Sequence, residues 1–380
     1  MATKQALFLV LSLLCMGGFN FSPVRGISTI GIGDELNSTS FLVSPEGNFT
    51  MGFFYVNRTG YSYLGIWYSK DLLYRKVWVA NPNTPLLNND GVLTIDTAGM
   101  LKIVSGGNTV LNISGNGTTA SLEDSGNFVL IDNANRTIWQ SFDHPTDTLL
   151  PGMKLGVSNT TGQNWTLTSW LSDFVPATGA FSLRWEPEQY SGELVIYRRG
   201  VRYWASGLLQ TNQTFPYMPA LNSPFSPYHY NLSFVKNDNE TYFTITSGPT
   251  DSPAMWRLTP AGPIVDGLNL ILTPFGEFCY GFKTDTGCVA STVPPCRSSE
   301  DEFELKSAYF LPSSAVSEYN NDPLIGVSDC MQNCWNNCTC VGFIVNSNGT
   351  GCVTWTGKLD YREDVNNTVP IFVLDQEKSD

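Results

Sequence analysis

The chain has 380 residues, more than one ordinary domain of ~100–200 residues needs, and 21 Lys+Arg against 34 Asp+Glu give it a formal charge of −13. That balance excludes a nucleic-acid binder, which needs a basic footprint to displace counterions from phosphate. A hydrophobic fraction of 42% and an aromatic fraction of 13% exclude wholesale disorder, and 34 Gly with 22 Pro point to short strands and turns rather than helices.

The chain begins with a lone Lys4 and an apolar run from Ala6 to Met16. That run suits the core of a signal peptide and is too short to span a bilayer. Small residues at Val24 and Gly26 place cleavage near residue 26. Processing removes Lys4, Arg25 and no acid, so the charge moves from −13 to −15. No second long apolar run follows, and no membrane anchor is expected in the chain as given.

Fourteen N-x-S/T sequons lie beyond that point: Asn37, Asn48, Asn57, Asn112, Asn116, Asn135, Asn159, Asn164, Asn212, Asn231, Asn239, Asn337, Asn348 and Asn366. So many acceptors spread over one chain argue for export, and glycans would solubilise a surface in which only 14% of residues are charged. Of nine cysteines, Cys15 leaves with the signal and eight remain, all between Cys279 and Cys352. An even number behind a signal peptide reads as four disulfides in an oxidising, extracellular compartment.

Residues 27 to about 275 therefore fold without disulfides. Short apolar runs recur there at Gly47–Phe54, Tyr63–Tyr68, Lys76–Ala80, Gly91–Ile95 and Asn127–Ile131, each bounded by Gly, Pro, Asn or Asp. GMLKIVSGGNTVLNIS from Gly99 aligns without gaps on GNFVLIDNANRTIWQS from Gly126, which predicts stacked sheet units sharing one core. Further strand-like runs follow at Phe181–Trp185, Glu193–Tyr197, Asn231–Val235 and Tyr242–Ile245. Pro216, Pro219, Pro224 and Pro227 mark an irregular stretch. Only Val327 to Trp335 has helical spacing, with Ser328 or Asp329 as cap and Cys330 and Cys334 one turn apart.

Tyr63–Tyr68 (YLGIWY), Val77–Asn81 (VWVAN) with Pro85, Gly91–Ile95 (GVLTI) and Trp139–Gly156 (WQSFDHPTDTLLPGMKLG), running on to Leu167–Trp170, resemble the bulb-type lectin domain of plant S-domain proteins. Tyr203–Gly207 and Asn239–Tyr242 resemble the S-locus glycoprotein region that follows it. Cys330-x3-Cys334-x3-Cys338-x-Cys340 with Gly351-Cys352-Val353-x-Trp355 resembles the PAN/apple module. The resemblance covers nearly the whole mature chain in family order.

It implies a mainly β protein: two bulb-lectin-like β-prism domains, a small disulfide-rich segment and a PAN/apple α+β domain. The expected layout is a signal peptide (1–26), a bulb-type lectin domain (27–152), a second lectin-like or S-locus glycoprotein domain (153–275), a degenerate EGF-like cysteine segment (276–298) and a PAN/apple domain (299–378). It implies PAN bridges Cys330–Cys352 and Cys334–Cys340. Parity leaves Cys279, Cys288, Cys296 and Cys338, expected to pair as Cys279–Cys288 and Cys296–Cys338. Where the chain ends, after Phe372–Asp375, a family anchor and Ser/Thr kinase would begin. A secreted form in the apoplast and a receptor fragment at the outer face of the plasma membrane both fit.

Mannose-binding members of the family use Gln-x-Asp-x-Asn-x-Val-x-Tyr. Its best counterpart here is Glu123-x-Ser125-x-Asn127-x-Val129-x-Ile131, which keeps only Asn127 and Val129 and makes Glu123, Asn127 and Val129 a degenerate carbohydrate candidate. Sugar hydroxyls left unpaired on desolvation cost ~1–3 kcal/mol each, so mannose binding is not expected. The aromatics Phe215, Tyr217, Phe225, Tyr228 and Tyr230, interleaved with prolines, are the ligand-loop candidate. Arg198, Arg199 and Arg202 form a basic cluster that could meet an acidic partner or end a strand in solvent.

Catalytic raw material is scarce. Two histidines exclude a three-His zinc site, and neither a metal nor another cofactor is expected. Ser141, Asp143, His144 and Asp147 are neighbours in one Pro-containing turn rather than a converging triad. Glu186 and Glu188 flank Pro187 as turn carboxylates. The expectation is a non-enzymatic extracellular recognition module for a peptide, lipid or protein ligand, with glycans as a further partner class. The family implies action as a homodimer or beside a receptor kinase, in pollen recognition or defence. A soluble mannose-binding lectin is the alternative.

Overall fold

A computed structural model describes residues 27–222, 228–248, 253–273, 278–364 and 369–375. The expected signal peptide, Phe225 and the sequon at Asn366 lie outside these residues.

Twelve strands between Thr29 and Gln140 form three four-stranded antiparallel sheets. One combines Thr29–Gly31, Thr119–Leu122, Phe128–Ile131 and Thr137–Gln140. The second combines Glu35–Asn37, Val92–Ile95, Leu101–Ser105 and Asn108–Ser114. The third combines Leu42–Val43, Phe49–Val56, Tyr61–Tyr68 and Lys76–Val79. The internal repeat becomes geometry here, because its two copies are the outer hairpins of the first two sheets. Each hairpin follows a left-handed glycine two residues before the strand: Gly47 (φ 77°), Gly99 (φ 76°) and Gly126 (φ 85°). A side chain at any of the three would be strained.

A second unit repeats the plan with three more antiparallel sheets. The largest pairs Leu167–Ser172, Val175–Pro187, Gly192–Arg198 and Val201–Leu208. Another joins Asn164–Trp165, Leu155–Ser158, Glu240–Ser247 and Tyr230–Lys236, and a short one joins Thr148–Leu149, Trp256–Leu258 and Ile264–Asp266. One continuous apolar core runs through both units, from Met51, Ile66, Leu93 and Phe128 to Leu155, Phe181, Trp204 and Trp256. Burial on this scale, at about 25 cal/mol per Å² of apolar surface, replaces the covalent staples this half of the chain lacks.

Polar contacts fix the two units against each other. The Tyr68 hydroxyl donates to the Ala254 carbonyl of the second unit at 2.8 Å, while the Trp78 indole donates to the His144 carbonyl at 2.8 Å and holds the turn that leads out of the first unit. Arg75 grips Asp71 in its own loop while its other nitrogens donate to the Gly267 carbonyl (2.7 Å) and Asn269 (3.1 Å).

The C-terminal part is α+β. A five-stranded sheet, in the order Glu302–Lys306, Ile371–Asp375, Cys340–Val345, Cys352–Gly357 and Ala315–Asn320, packs against the helix Val327–Asn336. The helix caps on Gly326 rather than on Ser328 or Asp329; Asp329, one turn in, accepts the Gly326 N–H at 3.1 Å. The bridges are Cys279–Cys288, Cys296–Cys338, Cys330–Cys352 and Cys334–Cys340, the pairs expected above. The loop closed by Cys279–Cys288 docks on the second unit, where the Trp204 indole donates to the Thr286 carbonyl at 2.9 Å. Arg297, itself buried, donates to the carbonyls of Cys334, Trp335, Asn337 and Cys340 and so completes the C-terminal end of the helix.

Candidate functional site

The sugar candidate does not present a binding ledge. Asn127 is only 6% exposed, and both its amide nitrogen and its amide oxygen are bonded within the fold. Its Nδ2 donates to Gln140 Oε1 at 2.9 Å, while its Oδ1 accepts the Ser141 hydroxyl and the Phe142 N–H, both at 3.1 Å. Gln140 passes the network on to Asp143 (2.9 Å), and Asp143 accepts the Trp165 indole N–H of the second unit at 2.9 Å. Val129 is buried, and Glu123 stands exposed at the hairpin turn with Ser125 donating to it at 3.3 Å. Two of the three side chains are therefore buried and only Glu123 is exposed. Asn127 is a structural pin that holds the turn leading into the second unit.

The same network disposes of the apparent triad. Ser141 spends its hydroxyl on Asn127, Asp143 is held by Gln140 and Trp165, and His144 stacks on Trp139 at 5.3 Å between ring centres. Partial burial holds the His144 imidazole below its usual pKa, and the Ser141 hydroxyl is taken up by Asn127 and the Phe128 N–H rather than by that ring.

The ligand-loop candidate also changes place. Phe215 and Tyr228 are each 2% exposed, Tyr217 packs against the core, and Tyr230 lies in the strand Tyr230–Lys236 with its ring against Trp256. The four described aromatics of this set therefore pack into the second unit instead of lining an exposed loop. Phe225 lies outside the described residues.

The basic cluster is intramolecular. Arg198 donates to the Ser328 carbonyl (2.9 Å) and Asp329 (3.2 Å), and Arg199 binds Asp329 at 2.7 Å, so both hold the start of the C-terminal helix against the second unit. Arg202 pairs with Glu186 and Glu193. Glu186 also accepts the Tyr197 hydroxyl and is committed to the sheet.

A different place gathers unusual chemistry. A cleft of about 460 Å³ opens where the strands Phe49–Val56 and Lys76–Val79 of the first unit meet the second. Lys76 lies on its wall with Nζ over the Phe54 and Trp67 rings at 4.8 and 4.4 Å; burial brings its pKa down to about 8. Asp147 is fully buried, and desolvation pushes its carboxyl up to about 6 against the pull of Arg257. These residues are scattered between 54 and 257, so no motif announces them. The available signal was the isolated cations Arg58, Arg75, Lys76 and Arg257 set among aromatics in an acidic chain.

All thirteen sequon asparagines among the described residues are exposed. No helix among those residues is long and apolar enough to cross a membrane.

Comparison with known families matches a D-mannose binding lectin domain over residues 76–171 and a PAN-like domain over residues 296–360. With the strand-rich fold and four disulfides, these define the class: a bulb-lectin and PAN protein that acts as an extracellular recognition module. Among whole proteins, the S-locus-specific glycoprotein S6 of Brassica oleracea is 34% identical over 93% of this chain and 91% of its own length. The Arabidopsis thaliana G-type lectin S-receptor-like kinase CES101 is 32% identical over 85% of this chain, and the receptor-like kinase SD1-8 is 31% identical over 85%. The chain spans 43% and 44% of those two kinases. It belongs to the family of S-locus glycoproteins and G-type lectin S-receptor-like kinases.

Proposed function

We propose that this chain is a non-enzymatic recognition module of the S-locus glycoprotein type that takes a peptide, lipid or protein ligand rather than mannose. It acts in the apoplast or at the outer face of the plasma membrane, in cell-surface signalling of the pollen-recognition or defence kind. It works as a homodimer or beside a receptor kinase. Its layout is a signal peptide to residue 26, lectin-like units over 27–152 and 153–275, a cysteine segment over 276–298 and a PAN domain over 299–378.

The observation that supports this reading is the engagement of Asn127. A lectin site needs polar atoms waiting for sugar hydroxyls, and each polar atom of the Asn127 amide is bonded within the fold. An array carrying oligomannose glycans, acyl lipids and peptides tests it with the secreted, glycosylated protein. Binding confined to the non-glycan features is expected. Retention on oligomannose by wild type that disappears on Asn127→Ala substitution in a stabilised, folded background would overturn it.

A further inference from the structure

The cleft between the two lectin-like units carries two buried donors that the described residues leave without an acceptor. The indole N–H of Trp170 and the Nε–H of Arg257 are both buried without an acceptor among the described residues, and both side chains line the cleft. Leaving such a donor unpaired costs ~1–3 kcal/mol, so two in one cleft demand a reason. Arg257 approaches Asp173 only at 4.0 Å. Arg58 stacks on Phe174 at 4.1 Å with its charge exposed. With Arg75 already paired to Asp71, Arg58, Lys76 and Arg257 still outnumber Asp147 and Asp173 in the lining, a positive balance in a chain of charge −13. The lip is apolar, with Leu73 63% and Tyr74 64% exposed. These residues belong to a loop whose far end is locked by the Arg75–Asp71 pair.

We infer that this cleft is a binding site for an acidic peptide segment, with a carboxylate between Arg58 and Arg257 and an apolar or aromatic neighbour against Tyr74 and Phe174. The inference rests on the recognition reading above and gives it a location. A peptide, rather than a fatty acid, is the occupant that the donors select. A fatty acid offers one headgroup to one spot, whereas separate N–H donors on Trp170 and Arg257, with Arg58 as a further cation in the lining, need acceptors spaced along the ligand. Backbone carbonyls and a side-chain carboxylate supply that spacing. Charge complementarity also sets the sign of the partner, since cations in a cleft with low-dielectric walls attract anions more strongly than they would on an open surface. Exposed aromatic and Arg side chains beside such donors are the usual anchors of a peptide interface.

Poly(Glu,Tyr) copolymer is the probe, with poly(Lys,Tyr), polyglutamate and dodecanoate as controls. Binding is read by biolayer interferometry on the secreted full chain. Saturable, salt-sensitive binding of poly(Glu,Tyr) is expected, with weaker binding of polyglutamate and none of poly(Lys,Tyr). Arg257→Gln and Arg58→Ala should each weaken binding about tenfold, the loss of one charge-assisted contact. Trp170→Phe keeps the ring and removes the N–H, and should weaken it several-fold. Arg58 is exposed, so its variant keeps the test valid if either of the others fails to fold. No binding of poly(Glu,Tyr), binding equal in wild type and all three variants, or dodecanoate competing at these same residues would each overturn the inference. The first two outcomes leave the mannose test untouched, so failure of the cleft and failure of the recognition reading are distinguishable.

Discussion

If Asn127 is a pin and not a sugar ligand, removing it should cost stability. Asn127→Ala deletes three hydrogen bonds: one to Gln140 and one each from Ser141 and the Phe142 N–H. At about 1 kcal/mol for each bond, with the Phe142 N–H left unpaired beside the core, the loss is about 3 kcal/mol. Asn127→Asp is the sharper perturbation. It keeps the volume and the acceptor but sets a carboxylate oxygen against Gln140 Oε1, at a site only 6% exposed. Gln140 cannot turn its amide to compensate without breaking its own bond to Asp143. The Asp variant should therefore be at least as unstable as the Ala variant despite being nearly isosteric. Calorimetry of the secreted protein should show the lectin-like transition lowered by about 6–12 °C, since 1 kcal/mol moves a unit of this size by about 2–4 °C. An Ala variant within 1 °C of wild type, or an Asp variant as stable as wild type, would refute the pin.

Other parts of the fold make equally definite demands. Asp147, ordinarily near 3.8 and here raised to about 6, holds its proton more tightly folded than unfolded, so its contribution is largest below pH 4 and is lost as pH rises through 6. That decline amounts to about 3 kcal/mol, and the difference in stability between wild type and Asp147→Asn across pH 4–7 should trace it; a constant difference would contradict the buried-carboxyl account. Arg297→Met leaves four carbonyls at the helix end without their donor and should lower the PAN transition by about 3 kcal/mol, read by urea unfolding. Asp329→Ala releases Arg198, Arg199 and the Gly326 N–H together. It should cost about 2–3 kcal/mol and speed proteolysis around Asp322–Gly326, and an unchanged cleavage rate would contradict the clamp.

The repeat of Gly99 and Gly126 was readable because a left-handed turn before each hairpin restricts the residue, and the disulfide pairs followed from parity plus family likeness. The aromatics around Phe215 and Tyr228 were misread because prolines predict irregular backbone, and irregular backbone was equated with surface. A better signal was present: from Tyr203 to Val235 there is no Asp, Glu, Lys or Arg, which leaves Phe215, Tyr217, Tyr228 and Tyr230 without charged neighbours in sequence to hold them at the surface. Arg198, Arg199 and Arg202 were visible as a charge cluster, but Asp329, which neutralises two of them, lies 130 residues away. The cleft was invisible for the same reason. Its walls come from both units, and only the packing of one unit on the other brings Lys76, Trp170 and Arg257 together.

The account stands or falls on whether the first unit still recognises sugar. Titration of methyl α-mannoside into the secreted protein, followed by calorimetry at high millimolar sugar, addresses this directly. The account predicts no saturable heat in wild type and none in a stabilised background carrying Asn127→Ala. Saturable heat in wild type that vanishes in that variant would contradict it.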